Sequence, residues 1–160
     1  YFSECMPLSK KKNITLTLKR YPEKLEAVTD VGAFRNIVQS LVSNAIEYTP
    51  EGGLVEMDLE VKGDRFLFSV RDTGIGIPKE EQSRIFDKFF RAGNAKLVKT
   101  DGTGLGLYVA KQAVELLGGK IWFESPATAK DGQEAVGRGT TFYVELPFVA
   151  KQKEGTKQLA

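Results

Sequence analysis

The chain has 160 residues and a mass of 17.7 kDa, which is the size of one ordinary domain with its own core. Its 23 basic and 21 acidic residues leave a net charge of +2, so the charge does not indicate nucleic acid or an anionic membrane as a partner. Histidine is absent and Cys5 is the single cysteine, which excludes Ser-His-Asp and Cys-His catalysis, histidine-ligated metals, an internal disulfide and a phosphoryl relay through a histidine of these residues.

The first half of the chain predicts a connector, a strand and a helix. Residues 1–12 are interpreted as a connector from an incoming helix, and the start at Tyr1 suggests a fragment of a longer protein. Strict alternation predicts a half-buried strand over 14–18. Apolar residues at helical spacing predict a helix over 33–48, with Asp30 as its N-cap. No apolar run approaches the roughly 20 residues of a membrane span, and no signal peptide is visible.

The second half predicts a hairpin, a glycine-rich segment, another helix and two strands. The segment 91–103 has no apolar period and is interpreted as an irregular lid. Together the elements predict an α+β fold, a two-layer α/β sandwich whose mixed, mostly antiparallel sheet carries its helices on one face. The remaining predicted elements are hairpin strands over 55–62 and 66–70, a short helix near 79–86, a helix over 104–118, and strands over 120–124 and 140–146.

Four polar or glycine-rich motifs stand out against this framework. Asn44 shares a helix face with Ser40, Glu47 and Tyr48, and an asparagine carbonyl can ligate a hard cation such as Mg²⁺. Asp72 begins the run DTGIG after a strand, where a carboxylate can accept a proton from an amine and the glycines allow close approach of a flat ligand. Taken singly, an asparagine like Asn44 is more often a solvent-facing or capping residue, and a run like that at Asp72 is more often an ordinary Asp-Gly turn.

The other two motifs flank the predicted lid. The run Gly102–Gly106 opens a helix, where free backbone N–H groups can bind phosphate, although it lacks both the P-loop pattern and the dinucleotide fingerprint. The run Phe86–Arg91 is rich in phenylalanine, which is more often core than ligand contact, and its arginine can reach a phosphate or remain on the surface.

The order of these motifs carries a resemblance that no single motif does. Over residues 13–148 the chain resembles the ATP-binding catalytic domain of bacterial two-component sensor histidine kinases, in the superfamily shared with gyrase, MutL and the chaperone ATPases, which implies a Bergerat-type fold. The boxes that carry the resemblance are SLVSNAIEYTPEGG (40–53), DTGIGIP (72–78), RIFDKFFRAG (84–93), DGTGLGLYVAK (101–111), GGKIWFES (118–125) and GTTFYVELP (139–147).

The resemblance implies a role for each matching position. The implied cofactors are ATP and Mg²⁺, with Asn44 holding the metal and Asp72 accepting from the adenine amino group. The other implied positions are Thr140, supporting Asp72 through water; Gly74 and Gly76, shaping the adenine wall; Tyr48 and Ile77, lining the base pocket; Gly102, Thr103, Gly104, Leu105 and Gly106, forming the turn over the phosphates; and Arg91, a phosphate contact beside the lid.

The implied reaction is phosphoryl transfer to a histidine, and this chain has none. The acceptor is therefore expected on an upstream dimerisation domain, from which the phosphoryl group passes to a response regulator. The resemblance also implies a homodimeric parent protein without a nucleic-acid partner. Its expected location is the cytoplasm, where the parent can be anchored to the membrane. On this interpretation residues 1–12 are the connector, 13–148 the catalytic domain and 149–160 a polar tail.

Two departures from the family pattern keep a second interpretation open. Ser40 stands where the family often has Asn or His, and Glu47 stands where it often has Lys. A glutamate beside phosphate weakens binding unless Lys96, Lys99 or Arg91 compensates. A degenerate regulatory module that binds nucleotide or only partner proteins therefore stays possible. Ser40 also replaces the glutamate base of gyrase-type hydrolases, and the Phe86–Arg91 run argues against an anti-sigma serine kinase.

Overall fold

The computed structural model describes residues 2–22, 27–28, 30–126 and 139–150. Groups of helices and groups of strands follow one another along the described parts of the chain. The helices are α1 (Phe2–Lys11), α2 (Val31–Tyr48), α3 (Gly93–Val98) and α4 (Gly106–Leu116), with a 3-10 helix at Lys79–Arg84; the strands are β1 (Thr15–Arg20), β2 (Ala27–Val28), β3 (Leu54–Lys62), β4 (Arg65–Asp72), β5 (Lys120–Glu124), β6 (Thr141–Pro147) and β7 (Val149–Ala150).

Five strands form a mixed sheet in the order β1-β3-β4-β6-β5. The β1–β3 pair is parallel, with Leu16 opposite Val55, and α2 lies between these two strands in the chain. The other three pairs are antiparallel, and β3 and β4 form a hairpin that closes with Lys62 opposite Arg65. Strands β2 and β7 form a separate antiparallel pair. The sheet is therefore mixed and mostly antiparallel, as predicted.

Helix α2 provides much of the core. The Asp30 carboxylate caps its first turn by accepting from the Ala33 N–H at 2.9 Å, and the Thr49 hydroxyl ends the helix by donating to the Ala45 carbonyl at 2.7 Å. The helix packs against α4 and against strands β3 and β4. Its buried face consists of Ile37, Val38, Leu41, Val42, Ala45 and Ile46.

Aromatic contacts extend the packing on both sides of the sheet. Phe34 of α2 meets the ring of Phe66 edge-on at 5.1 Å between centroids. At the β5–β6 pair, Trp122 stacks on Tyr143 with centroids 5.3 Å apart and an interplanar angle of 13°. In the described ranges, no helix is long and apolar enough to cross a membrane.

The predicted fold class is confirmed, and the elements differ from the predictions mainly at their ends. One prediction is wrong in kind: the lid segment 91–103 is not irregular throughout, because α3 occupies Gly93–Val98. The predicted connector forms α1 despite Pro7 within it. Of the predicted tail, Val149–Ala150 pair with β2, and residues 151–160 lie outside the described part of the chain.

Candidate functional site

A cavity of about 370 Å³ lies between α2, the end of β4, the lid segment and the start of α4. Most of the site residues named from the sequence line it. They are Asn44, Tyr48, Asp72, Gly76, Ile77, Arg91, Gly102, Thr103, Gly104, Gly106 and Thr140.

The buried Asp72 carboxylate is the most constrained group in the cavity. Buried and partly exposed residues alternate along β4, and Asp72 follows Phe66, Phe68 and Val70 on the inward face. Its side chain is 6% exposed. The Oδ1 atom accepts from the Gly74 N–H at 2.8 Å and from the Thr140 N–H at 3.1 Å.

Burial raises the pKa of Asp72 to about 6, although the two backbone N–H donors act in the opposite direction. Burial therefore makes ionisation of the carboxyl group unfavourable, while the two fixed N–H donors partly stabilise the ionised form. Such a group is suited to accepting a hydrogen bond from a ligand that enters the cavity.

The glycine loop after β4 packs directly on the end of α2. The Ile75 N–H donates to the Tyr48 carbonyl at 3.1 Å. A Cβ at Gly74 would lie 2.6 Å from that carbonyl oxygen and 2.7 Å from Asp72 Oδ1, so a side chain is excluded there. This close contact joins the helix that carries Asn44 to the strand end that carries Asp72.

A second layer of hydrogen bonds holds the other side of this loop. The Ser125 hydroxyl accepts from the Ile77 N–H at 2.8 Å and donates to the Gly139 carbonyl at 3.1 Å. The Thr140 hydroxyl bonds to Ser125 Oγ at 3.3 Å. The ends of β5 and β6 thus fix the wall formed by the DTGIGIP motif.

The lid segment is tied down at both ends of α3. Both Glu81 carboxylate oxygens accept from the Gly93 N–H, at 2.9 and 3.1 Å. The Arg91 guanidinium donates to the Thr100 carbonyl at 3.1 Å and also to the Lys99 carbonyl, near the other end of the helix. Asn94 donates to the Gly76 carbonyl at 2.9 Å. The lid is thereby bonded to the glycine loop across the cavity.

An ion pair joins the lid to α2. Lys99 Nζ lies 2.6 Å from Glu47 Oε1, and both residues line the cavity. The Glu47 carboxylate raises the pKa of Lys99. Of the three cations considered from the sequence, Lys99 is the one that pairs with Glu47 in the described structure.

Gly104 sets the sharp turn from the lid into α4. Its φ is +69°, and a Cβ there would lie 2.7 Å from the carbonyl carbon of Phe89. The Phe89 N–H donates to the Gly104 carbonyl at 3.0 Å. This packing holds the N-terminus of α4 against the cavity.

Residues 29–150 match the family model described as histidine kinase-, DNA gyrase B- and HSP90-like ATPase. The chain belongs to this family. Sensor histidine kinase WalK of Bacillus subtilis (strain 168) is 36% identical over 140 residues, which cover 86% of this chain and 21% of WalK.

Two solved structures are also similar to this histidine kinase- and gyrase-like ATPase domain. Full-length ShkA in complex with AMPPNP matches with a TM-score of 0.75 at 27% identity, over 95% of this chain and 29% of that one. Histidine kinase ThkA in complex with the response regulator TrrA matches with a TM-score of 0.71 at 26% identity, over 95% of this chain and 39% of that one. The chain thus spans well under half the length of each of these proteins.

Four of the residues named from the sequence make contacts or take places that the sequence did not predict. Gly74 and Leu105 do not line the cavity: the former donates to Asp72, and the latter precedes α4. Thr140 donates its backbone N–H directly to the Asp72 carboxylate at 3.1 Å. Arg91 lines the cavity, but its guanidinium donates to lid carbonyls.

Sequence reasoning missed several residues that organise the site. Asn94, Glu81 and Ser125 act by bonding to backbone groups far away in the chain, which no local pattern reveals. By contrast, the alternation along β4 would have predicted the burial of Asp72, because the aspartate continues the inward-facing series.

Proposed function

We propose that this domain binds Mg-ATP in the cavity and donates the γ-phosphoryl group to a histidine on a separate dimerisation domain. The observation that carries the proposal is the buried Asp72 carboxylate, which lines the cavity together with the glycine-rich turn into α4. Such a carboxylate accepts from an exocyclic amine, while the N-terminus of α4 offers N–H groups to phosphate. The cavity volume of about 370 Å³ suits a nucleotide-sized ligand.

The base and the phosphates would lie on different residues. Asp72 would accept from the adenine amino group, with Tyr48, Gly76 and Ile77 beside the ring, and Gly74 and Thr140 would hold the carboxylate. The turn from Gly102 through Thr103, Gly104, Leu105 and Gly106 would cover the phosphates, with the Arg91 side chain beside Gly102.

Asn44 fits the role of magnesium ligand. Its side chain lines the cavity on α2 and makes no hydrogen bond to the rest of the described structure. No group of three acidic or cysteine side chains in the described residues could hold a metal by itself. One amide oxygen suits Mg²⁺, which keeps most of its shell as water and phosphate oxygen. The bound metal would supply charge neutralisation at the phosphates.

The whole protein is proposed to be a two-component sensor kinase. WalK is a sensor histidine kinase, and the histidine kinase ThkA was solved with a response regulator. The proposed partners are thus an upstream histidine-bearing domain and the receiver domain of a response regulator. The domain is proposed to act in the cytoplasm, and the whole protein to be a homodimer. Residues 1–12, with α1, would be the connector, 13–148 the catalytic domain and 149–160 a tail.

A regulatory module without turnover is the second candidate. The Glu47 carboxylate on the cavity wall favours it, because a negative charge opposes phosphate binding. The Lys99 ion pair offsets that charge and so favours the kinase.

The test is calorimetric titration of the 160-residue chain with a non-hydrolysable ATP analogue, with and without Mg²⁺. Asp72→Asn is expected to abolish binding, because an amide can no longer act as a purely accepting partner. Asn44→Ala is expected to remove the dependence on Mg²⁺ and leave the metal-free affinity unchanged.

Phosphoryl transfer is tested by adding a histidine-bearing dimerisation domain and γ-labelled ATP. Label on the histidine supports the kinase. Binding of nucleotide without transfer favours the regulatory module, and no binding by the folded chain contradicts both nucleotide-based functions.

A further inference from the structure

The Glu47–Lys99 ion pair joins two different elements on the wall of the cavity. Glu47 lies in the last turn of α2, and Lys99 follows directly after α3 in the lid. The two side chains are 31% and 41% exposed. Water competes for a pair of this exposure, so the pair adds little net stability and can exchange its partners.

Lys99 differs from the other charged groups on the cavity wall. Among the described residues these groups are Glu47, Asp72, Arg91 and Lys99. Asp72 is fixed by backbone N–H donors, and the Arg91 guanidinium is fixed by backbone carbonyls. The Lys99 ammonium is held by a side chain instead, which can give it up without breaking backbone structure.

We propose that Lys99 is the phosphate-binding cation of this site and that it reaches the nucleotide by leaving Glu47. The inference rests on the proposed Mg-ATP function. Several phosphate oxygens carry more negative charge than one carboxylate, so a bound polyphosphate competes well for the ammonium group.

Glu47 has two opposing effects in this scheme. Without ligand it holds Lys99 on the cavity wall and bonds the lid to α2. With ligand it loses Lys99 as its partner, and its negative charge near the phosphates weakens their binding. The glutamate is therefore a positioning residue that lowers nucleotide affinity, and its effect grows with the number of phosphates.

The experiment measures the Kd of an Mg-bound non-hydrolysable ATP analogue and of adenosine for wild type, Glu47→Gln, Lys99→Gln and Lys99→Arg. Glu47→Gln is expected to bind the analogue about three- to tenfold more tightly, because a repulsive charge is removed. Lys99→Gln is expected to bind it about tenfold or more weakly, and Lys99→Arg is expected to retain most of the affinity. Adenosine binding is expected to change less than about twofold in every variant.

Two matched controls separate site effects from general charge effects. Lys96→Gln removes a positive charge from exposed α3, and Glu51→Gln removes a negative charge from the exposed turn after α2. Neither residue lines the cavity, so neither variant is expected to change the analogue affinity more than about twofold.

The direction in which each single variant changes the affinity for the ATP analogue decides the outcome. If the pair only holds the lid closed, Glu47→Gln and Lys99→Gln both weaken binding, and equally for adenosine, which overturns the exchange. Unchanged analogue affinity in Lys99→Gln overturns it as well. If wild type binds neither ligand, the proposed function and this inference fall together, whereas normal wild-type binding with the wrong signs overturns this inference alone.

Discussion

At the scale of single residues, Asp72 shows a conflict between ligand binding and stability. A carboxylate that is 6% exposed loses most of its hydration, and two backbone N–H donors replace only part of it. The raised pKa of about 6 expresses that loss, because the folded protein favours the protonated form. The aspartate is thus expected to be retained for its ligand rather than for the fold.

The first prediction concerns the stability of Asp72→Asn. The folded pKa of about 6 lies above the ordinary value of 3.8, so the free energy of unfolding of wild type falls as pH rises between these values. Below that window the carboxyl is protonated in both states, and above it the full cost, up to ~3 kcal/mol, is present. Asparagine has no such cost and can still accept from both N–H groups. We expect the variant to be more stable than wild type by about 1–3 kcal/mol above pH 6.

Urea unfolding of wild type and Asp72→Asn at pH 4 and pH 7.5 measures this difference. Asp64→Asn is the matched control, because Asp64 lies in the exposed β3–β4 turn and its removal is expected to change stability by less than ~0.5 kcal/mol. A loss of stability in Asp72→Asn at pH 7.5 would contradict the assignment of the raised pKa to burial.

At the scale of elements, the lid helix α3 depends on its side-chain anchors. Six residues are too few for a helix that is stable by itself in water. Glu81 satisfies the first N–H, and Arg91 satisfies carbonyls near the last turn. The helix exists because charged side chains satisfy its ends.

The second prediction follows for Arg91→Gln. Loss of the charge-assisted bonds to lid carbonyls is expected to lower the amide exchange protection of 93–98 about tenfold or more. Protection in the sheet is expected to stay unchanged. Lys96→Gln is the control, since Lys96 is an exposed side chain of the same helix. Equal protection in Arg91→Gln and wild type would mean that other contacts hold the lid.

The elements differ in how far the sequence predicts them, and the lid is the least predictable. Helix α2 and the β3–β4 hairpin were predictable, because their apolar residues recur at the period of the element. Helix α3 has no such period, and its anchors lie outside it in the chain. The ion pair between Glu47 and Lys99 joins residues far apart in sequence, so the sequence offered Lys99 only as one of three candidates.

At the scale of the whole molecule, α2 serves both the core and the cavity. Leu41 is fully buried in the core, and Asn44, three residues further along, lies beside it on the helix and lines the cavity. The two positions are rigidly linked by the helix, so loosening the core is expected to displace the site as well.

The third prediction is a pair of leucine truncations. Leu41→Ala is expected to lower the free energy of unfolding by about 2–5 kcal/mol, because Leu41 is fully buried and a cavity remains. Leu116→Ala is the same chemical change at a side chain that is 88% exposed, and it is expected to change stability by less than ~0.5 kcal/mol. Chemical denaturation measures both, and similar losses in the two variants would contradict this account of the core.

The Trp122–Tyr143 stack makes the protein its own optical probe. Trp122 is the only tryptophan of the chain, and it lies on the β5–β6 pair without lining the cavity. Its emission therefore reports whether these two sheet strands remain paired, because unpairing them separates the indole from the phenol ring. A nucleotide titration is expected to leave that fluorescence almost unchanged, so one intrinsic signal can follow unfolding at any ligand concentration.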